Sequence, residues 1–349
     1  MPKLNNKKKE KPFKLDIKKL NGRKLCVVDV SAVMRTYFVE TEPEHIMENG
    51  ILYLADANGN FLLDNNGERM VYARSNKFKM RKPLSAMVYG ERVNTSAMFG
   101  LFSLMQQYKF SETEFIFCFD SPYNERKQEA GEDYKAGRAK VNNEYFNQVD
   151  AVENLLRKSG FCVLKEHGLE GDDLVILSAR ENYTKYDHVI VISNDYDISQ
   201  VVNYNVYFRS VLNSRADITQ ENFEQVVKCP YNSILLYKAL VGDSSDNIKG
   251  VTRFGPAAFK KFIVAENLEH QLPFVRIRNL EETIIRTSTT LSDKQKGEAL
   301  ISLRYVLPRL PKGKCNYQAT PSEEINVVPF RAFLERYEMN KFLTYLNQD

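Results

Sequence analysis

Four short apolar runs set the terms on which this chain can fold. Residues 24–31, 114–120, 161–164 and 188–193 each hold an unbroken apolar stretch followed by a polar break. A strand with one wet face alternates apolar and polar side chains, whereas a strand buried on both faces of a parallel sheet reads as an unbroken run. Strands alternating with helical stretches over residues 24 to 209 therefore predict an α/β fold, a mostly parallel sheet with helices on both faces. Acid collects at the ends of these runs. Asp29 closes the first and Asp120 the second, Asp195 and Asp197 follow the fourth, and Glu170, Asp172 and Asp173 open the helix predicted after the third. Open α/β sheets take their ligands just beyond the carboxyl ends of the strands.

Each acid alone has a plain explanation. Asp29 suits a helix cap, and acids in a first helical turn are ordinary dipole partners. Three carboxylates within residues 170–173 nevertheless exceed what capping requires. Asp243 and Asp246 follow the break of an apolar helical run at Gly242 and can face the same way. If these ends converge, nine carboxylates share one cleft, and such crowding raises pKa values or destabilises the fold unless cations intervene. Oxygen-only ligation favours hard Mg²⁺ or Mn²⁺. Neither the four histidines (His45, His167, His188, His270) nor the five cysteines (Cys26, Cys118, Cys162, Cys229, Cys315) show zinc spacing.

With 349 residues and 43% hydrophobic content, the chain can bury a substantial core. It holds no apolar run of membrane-span length and no apolar N-terminal stretch, so a soluble, cytoplasmic protein with reduced thiols is expected. Net charge is +4, but setting aside the nine acids leaves 36 acidic side chains against 49 basic, a net of +13. Residues 1–24 alone carry ten Lys/Arg against two acids. A basic surface around an acidic cleft implies a polyanionic partner held through phosphates, with salt-sensitive binding and no base readout.

Other stretches are less direct. Residues 40–82 hold short β-like runs with hairpin signals at 57–60 and 65–68, read as an inserted β-meander. Residues 84–108 show helical spacing in Met87, Val88, Met98, Leu101, Phe102 and Met105. Over 121–147, Arg126, Lys127, Tyr134, Lys135, Arg138 and Lys140 make either a charged surface helix or an arch that grips a single strand. Residues 235–262 read as helix, turn from Gly250 to Gly255, and a second helix carrying Lys260 and Lys261; a helix N-terminus there would stabilise a phosphate. Further helical spacing covers 280–285, 296–306 and 330–346, where Phe330, Phe333, Leu334, Tyr337, Phe342 and Leu346 are expected to pack on the body.

Taken in order, Asp29, Asp120, residues 170–173, Asp195, Asp197 and residues 242–247 resemble the acidic motifs of the flap endonuclease and 5′-3′ exonuclease family, and most nearly its bacteriophage RNase H branch. The resemblance covers about residues 24–265 and implies a PIN-like core, a helical arch and a helix-three-turn-helix motif, often with bound K⁺. It divides the chain into a basic tail (1–23), a nuclease core (24–210) and a helical C-terminal domain (211–349). By the same resemblance Asp29, Asp120, Asp172 and Asp195, with Glu170 close by, form a first Mg²⁺ group. Asp173, Asp197, Asp243 and Asp246 form a second. Lys135 and Arg138 would contact the scissile phosphate, Tyr134 would stack a terminal base, and Gly250, Arg253, Gly255, Lys260 and Lys261 would hold duplex. Implied substrates are duplex or flapped DNA and RNA–DNA hybrid, and implied partners a single-strand binding protein or sliding clamp, for an enzyme acting as a monomer without a membrane. Two other readings share parts of the pattern. A PIN-type endoribonuclease would lack the 242–262 unit, and a catalytically silent DNA-binding protein would have lost carboxylates.

Overall fold

The computed structural model describes residues 11–39, 44–49, 51–55, 60–64, 66–71, 84–130, 142–231, 233–268, 277–287 and 290–347. Its strands are β1 (Lys24–Asp29), β2 (Glu44–Glu48), β3 (Ile51–Ala55), β4 (Ser85–Val88), β5 (Glu91–Asn94), β6 (Thr113–Cys118), β7 (Cys162–Leu164), β8 (His188–Ser193) and β9 (Val206–Ser210). The α-helices are α1 (Val30–Tyr37), α2 (Ser96–Met105), α3 (Glu125–Ala130), α4 (Asn143–Lys158), α5 (Gly171–Asn182), α6 (Phe223–Val227), α7 (Ile234–Val241), α8 (Pro256–Ala265), α9 (Ile277–Arg286), α10 (Asp293–Val306) and α11 (Val327–Arg336).

Unbroken apolar runs become the centre of a five-stranded sheet in the order β7-β6-β1-β8-β9, every pairing parallel. β1 is buried at all six positions and feeds both faces. Leu25 and Val27 pack with α5, α7, α8 and α10, while Cys26 and Val28 pack with α1, α2, α4 and α11. The first of these clusters runs without a break from β1 through Leu236, Phe259 and Leu303, so residues before and after position 210 share one core. β9 escapes the apolar-run criterion because it is an edge strand. Its alternate residues Tyr207 and Arg209 are only half-buried.

Register decides where the acids go. Asp29 stands opposite Cys118, and Val28 opposite Ile192, so β1, β6 and β8 end together. Chain leaving the first two enters at once upon Asp29 as the cap of α1 and upon Asp120.

Two segments depart from the sequence reading. Met87 and Val88 lie on a β4–β5 hairpin and not on a helix, which begins only at Ser96. Tyr89 and Gly90 take φ of 53° and 87°, the left-handed pair of a tight hairpin turn, and periodicity alone does not register such a turn. Likewise 330–346 is not one helix, because α11 stops at Arg336, Glu338 turns at φ 53°, and a 3₁₀ helix (Asn340–Asn347) follows. Phe330, Leu334 and Phe342 are buried there, with Phe333, Tyr337 and Leu346 packed beside them. Within 40–82, β2 and β3 pair antiparallel, and single bridges join Tyr53 to Val71, Ala55 to Phe61 and Leu63 to Arg69. No helix among the described residues is long and apolar enough to cross a membrane.

The 235–262 unit forms as helix, turn and helix. α7 ends at Gly242, Asp243 and Ile248 exchange backbone hydrogen bonds of 2.8 and 2.7 Å, and the Val251 N–H returns to the Leu240 carbonyl at 2.8 Å. Gly242 and Gly250 hold the turn closed at φ 94° and 66°, and a Cβ on Gly250 would stand 2.4 Å from the Gly242 nitrogen. Arg253 sits at φ 61°, the left-handed conformation that glycine adopts without strain. Gly255 then caps α8, with Pro256 in its first turn.

Candidate active site

Beyond the carboxyl ends of β1, β6 and β8 opens a cleft of about 710 Å³ lined by Asp29, Asp120, Glu170, Asp172, Asp195 and Asp197, with Arg35, Arg215, Tyr237 and Lys238 on its walls. Asp29 is nearly inaccessible. It accepts the Ser193 hydroxyl at 2.6 Å and the Ala32 N–H at 2.9 Å. Asp120, exposed, accepts the Gly171 N–H at 2.7 Å, tying β6 to the first turn of α5. Asp195 caps the 3₁₀ helix Tyr196–Val201 by accepting the Asp197 N–H at 2.9 Å. Fixed local hydrogen bonds therefore hold Asp29, Asp120 and Asp195 where the strands deliver them.

Burial, with crowding added to it, shows in the titration of two of these acids. Burial, reinforced by the charge of Asp120, pushes Asp29 up to about 6. Burial and the neighbouring Asp195 push Asp197 up to about 7. Both shifts penalise the ionised form in the way that a bound cation would relieve. The acids converging here offer carboxylate oxygens, a donor set that fits a divalent cation.

A second acidic group lies at the edge of the helix-turn-helix unit. One carboxylate oxygen each from Asp197, Asp243 and Asp246 lies within 4.8 Å of the others. Lys238, which the sequence reading passed over, reaches in from α7 to pair with both Asp197 and Asp243. Burial alone would lower its pKa, but Asp197 and Asp243 outweigh this and hold it above the usual lysine range. Asp243, although half-buried, is kept below the ordinary carboxylate range by Lys238 and Ser245. The available signal for Lys238 was a charged residue inside an otherwise apolar helix, Ile234–Val241.

Asp173 is drawn elsewhere. Only 1% of its side chain is exposed, and its oxygens accept from Arg126 at 2.9 and 2.5 Å and from the backbone N–H groups of Glu170 at 3.1 Å and Arg309 at 2.9 Å. Arg35 and Arg215 were also missed. Arg215 donates to the Asn194 carbonyl at 2.9 Å, and Arg35 lies 5.6 Å above the Tyr145 ring. On the outer side of the turn, Arg253, Lys260 and Lys261 are exposed while Phe259 and Phe262 are buried beneath them. Tyr134, Lys135 and Arg138 lie outside the described residues.

Residues 62–228 match the family model described as 5′-3′ exonuclease, N-terminal resolvase-like domain. The chain is 31% identical over 222 residues to DNA polymerase I of Treponema pallidum, an overlap covering 60% of this chain and 20% of that protein. It is 27% identical over 200 residues to a 5′-3′ exonuclease of Buchnera aphidicola, covering 53% of this chain and 69% of the other. A stretch of 182 residues is 29% identical to a 5′-3′ exonuclease of Aquifex aeolicus, 50% of this chain and 62% of that one. This chain thus spans a fifth of the polymerase and about two thirds of the free-standing exonucleases. Among solved structures, a bacteriophage T5 flap endonuclease in complex with DNA and metal ions aligns over 93% of this chain and 100% of its own, with a TM-score of 0.51 and 16% identity. That likeness is one of fold.

Proposed function

The chain belongs to the flap endonuclease and 5′-3′ exonuclease family, and from that premise we propose that it is a divalent-metal-dependent phosphodiester hydrolase cutting nucleic acid at or near a 5′ end. The observation that carries this reading is the convergence of Asp29, Asp120, Glu170, Asp172, Asp195 and Asp197 on one cleft beside a helix-turn-helix with an exposed basic face. Asp29, Asp120, Asp172 and Asp195, with Glu170 at their edge, would hold the first Mg²⁺, for which Mn²⁺ would substitute. Asp197, Asp243 and Asp246 would hold a second more weakly, because Lys238 already supplies positive charge there. When bound, such cations activate water and stabilise the leaving oxygen of the cut strand.

The remaining work falls to this chain's own side chains. Arg35 and Arg215 face the cleft and suit phosphate oxygens, with the planar guanidinium able to make paired contacts. Lys135 and Arg138 would add positive charge at the scissile phosphate, and Tyr134 would stack the terminal base. Arg253, Lys260 and Lys261 would follow the duplex backbone beside the turn of Gly250 and Gly255, where K⁺ would bind. Asp173 is reassigned from metal ligand to the partner of Arg126. In its finer form the proposal is a cytoplasmic enzyme of the bacteriophage RNase H branch that removes RNA primers and flaps during replication, working beside a single-strand binding protein or clamp.

Digestion of 5′-labelled duplex, flap and RNA–DNA hybrid substrates tests the proposal. Short labelled products are expected with Mg²⁺ and none with EDTA; cutting that persists in EDTA overturns it, and an intact hybrid removes the RNase H refinement alone.

Metal and pH should act together. Asp29 and Asp197 ordinarily titrate at 3.8 and in the folded chain at about 6 and about 7. A carboxyl raised on folding makes the folded state bind more protons, so metal-free stability falls as pH rises from 3.8 towards 7. A cation that favours the ionised carboxylates offsets that loss. Thermal melts should therefore show Mg²⁺ raising Tm by several degrees more at about pH 8 than at about pH 5. An equal gain at both would count against cation binding at these two acids.

A further inference from the structure

Arg126 belongs to a stretch whose sequence reads as a charged surface helix or arch, yet only 6% of its side chain is exposed. Its guanidinium donates to Glu170 at 2.7 Å, to both oxygens of Asp173, and to the Leu307 carbonyl at 2.7 Å. Asn124 holds the other oxygen of Glu170 from its side-chain N–H at 2.8 Å. Glu170 and Asp173 are the cap and third residue of α5, the helix whose first turn also carries Asp172. The chain after α10 completes the arrangement. The Arg309 backbone N–H reaches Asp173, its guanidinium pairs with Glu125 and Glu129 of α3, and Lys312 pairs with Glu125.

A buried ion network of this kind seldom adds stability over well-packed apolar residues, so stability alone is a weak reason for it. A guanidinium fork does, however, fix the plane of the carboxylates it grips, which an ammonium does not. We propose that Arg126, together with Asn124, is a positioning residue: the two lock both oxygens of Glu170 and the first turn of α5, so that Glu170 and Asp172 face the cleft in a set orientation. The segment 307–312 is the seat that keeps Arg126 in place. This inference rests on the reading that the cleft binds divalent cations.

Calorimetric titration with Mg²⁺, paired with duplex binding measured in EDTA, tests it without any turnover. Arg126→Lys keeps the charge and loses the fork. The Mg²⁺ midpoint should rise about tenfold, the usual cost of disturbing groups behind a metal ligand, while duplex affinity stays within about twofold. An unchanged midpoint overturns the proposal. Arg126→Gln also removes the charge, and if Arg126 acted through charge alone, Mg²⁺ would bind more tightly in that variant. Loss of affinity is expected, and a gain overturns the proposal. Should these variants fail to fold, Asn124→Ser retains a side-chain oxygen for the Lys127 N–H, now accepted at 3.2 Å, but cannot donate to Glu170. A rise in midpoint of about tenfold, the low end for such outer contacts, is expected, and no rise overturns the proposal. Wild-type protein that bound no Mg²⁺ at all would instead defeat the underlying reading of the cleft, a result distinct from any of these.

Discussion

Asp172→Ala should fold, bind duplex and fail to cut. The residue stands in the first turn of α5 and lines both the main cleft and the smaller space beneath Tyr305 and Pro308. It is half-buried among like charges, so its removal relieves repulsion and should leave Tm unchanged or slightly higher. On the proposed function, what is lost is one of the oxygens that would hold the cation. Metal-assisted stabilisation of the reaction is worth several kcal/mol, and losing about 4 kcal/mol lowers turnover roughly a thousandfold. Single-turnover cleavage of a 5′-labelled flap, beside circular dichroism and duplex binding in EDTA, separates these effects. Full activity in the variant removes Asp172 from the site, and with it the reading of the cleft.

Gly250→Ala should cost more stability than any exposed substitution in the same turn. Gly250 has φ +66°, and an added Cβ would lie 2.4 Å from the Gly242 nitrogen and 2.5 Å from the Val241 carbonyl carbon. Both are backbone atoms and cannot swing aside as a long side chain does. Left-handed strain of about 1 kcal/mol and overpacking of about 2 kcal/mol together predict a loss near 3 kcal/mol. The displaced strand of backbone is the one that carries Asp243 and Asp246, so cleavage and duplex binding should fall with stability. Gly255→Ala is the control, since its φ is negative at −103° and nothing lies within 4 Å of the added carbon. A change within about 0.5 kcal/mol is expected there. Urea denaturation of the two variants decides the matter, and equal midpoints would mean that the turn does not need its close approach.

The fold class was legible because burial on both faces leaves a local trace. β1 and β8 are buried nearly throughout, and their sequences are unbroken apolar runs. The β4–β5 hairpin was not legible, since its four-residue strands are too short for a period and its turn begins with Tyr89, an uncommon residue at positive φ. β9 hid for the opposite reason, its alternation marking an edge that a search for continuous runs does not find. In the site, Asp29, Asp120 and Asp195 were readable from strand ends. Arg126 looked like an ordinary helix charge, because nothing near it in sequence tells that it is buried, whereas Lys238 was marked only by the apolar helix around it.

The sequence by itself therefore determined a parallel α/β sheet, a set of acids at its carboxyl edge and a helix-turn-helix with a basic outer face, all properties of neighbouring residues. Tertiary structure alone decided how those acids are divided. Asp173 is taken by Arg126, 47 positions away, and by the backbone of Arg309, 136 positions away, whereas Asp197 meets Asp243, Asp246 and Lys238 from another part of the chain. A carboxylate's role depends on which charges lie within a few ångströms of it, and that distance is set by the packing of α5, α7 and the segment after α10, not by spacing along the chain.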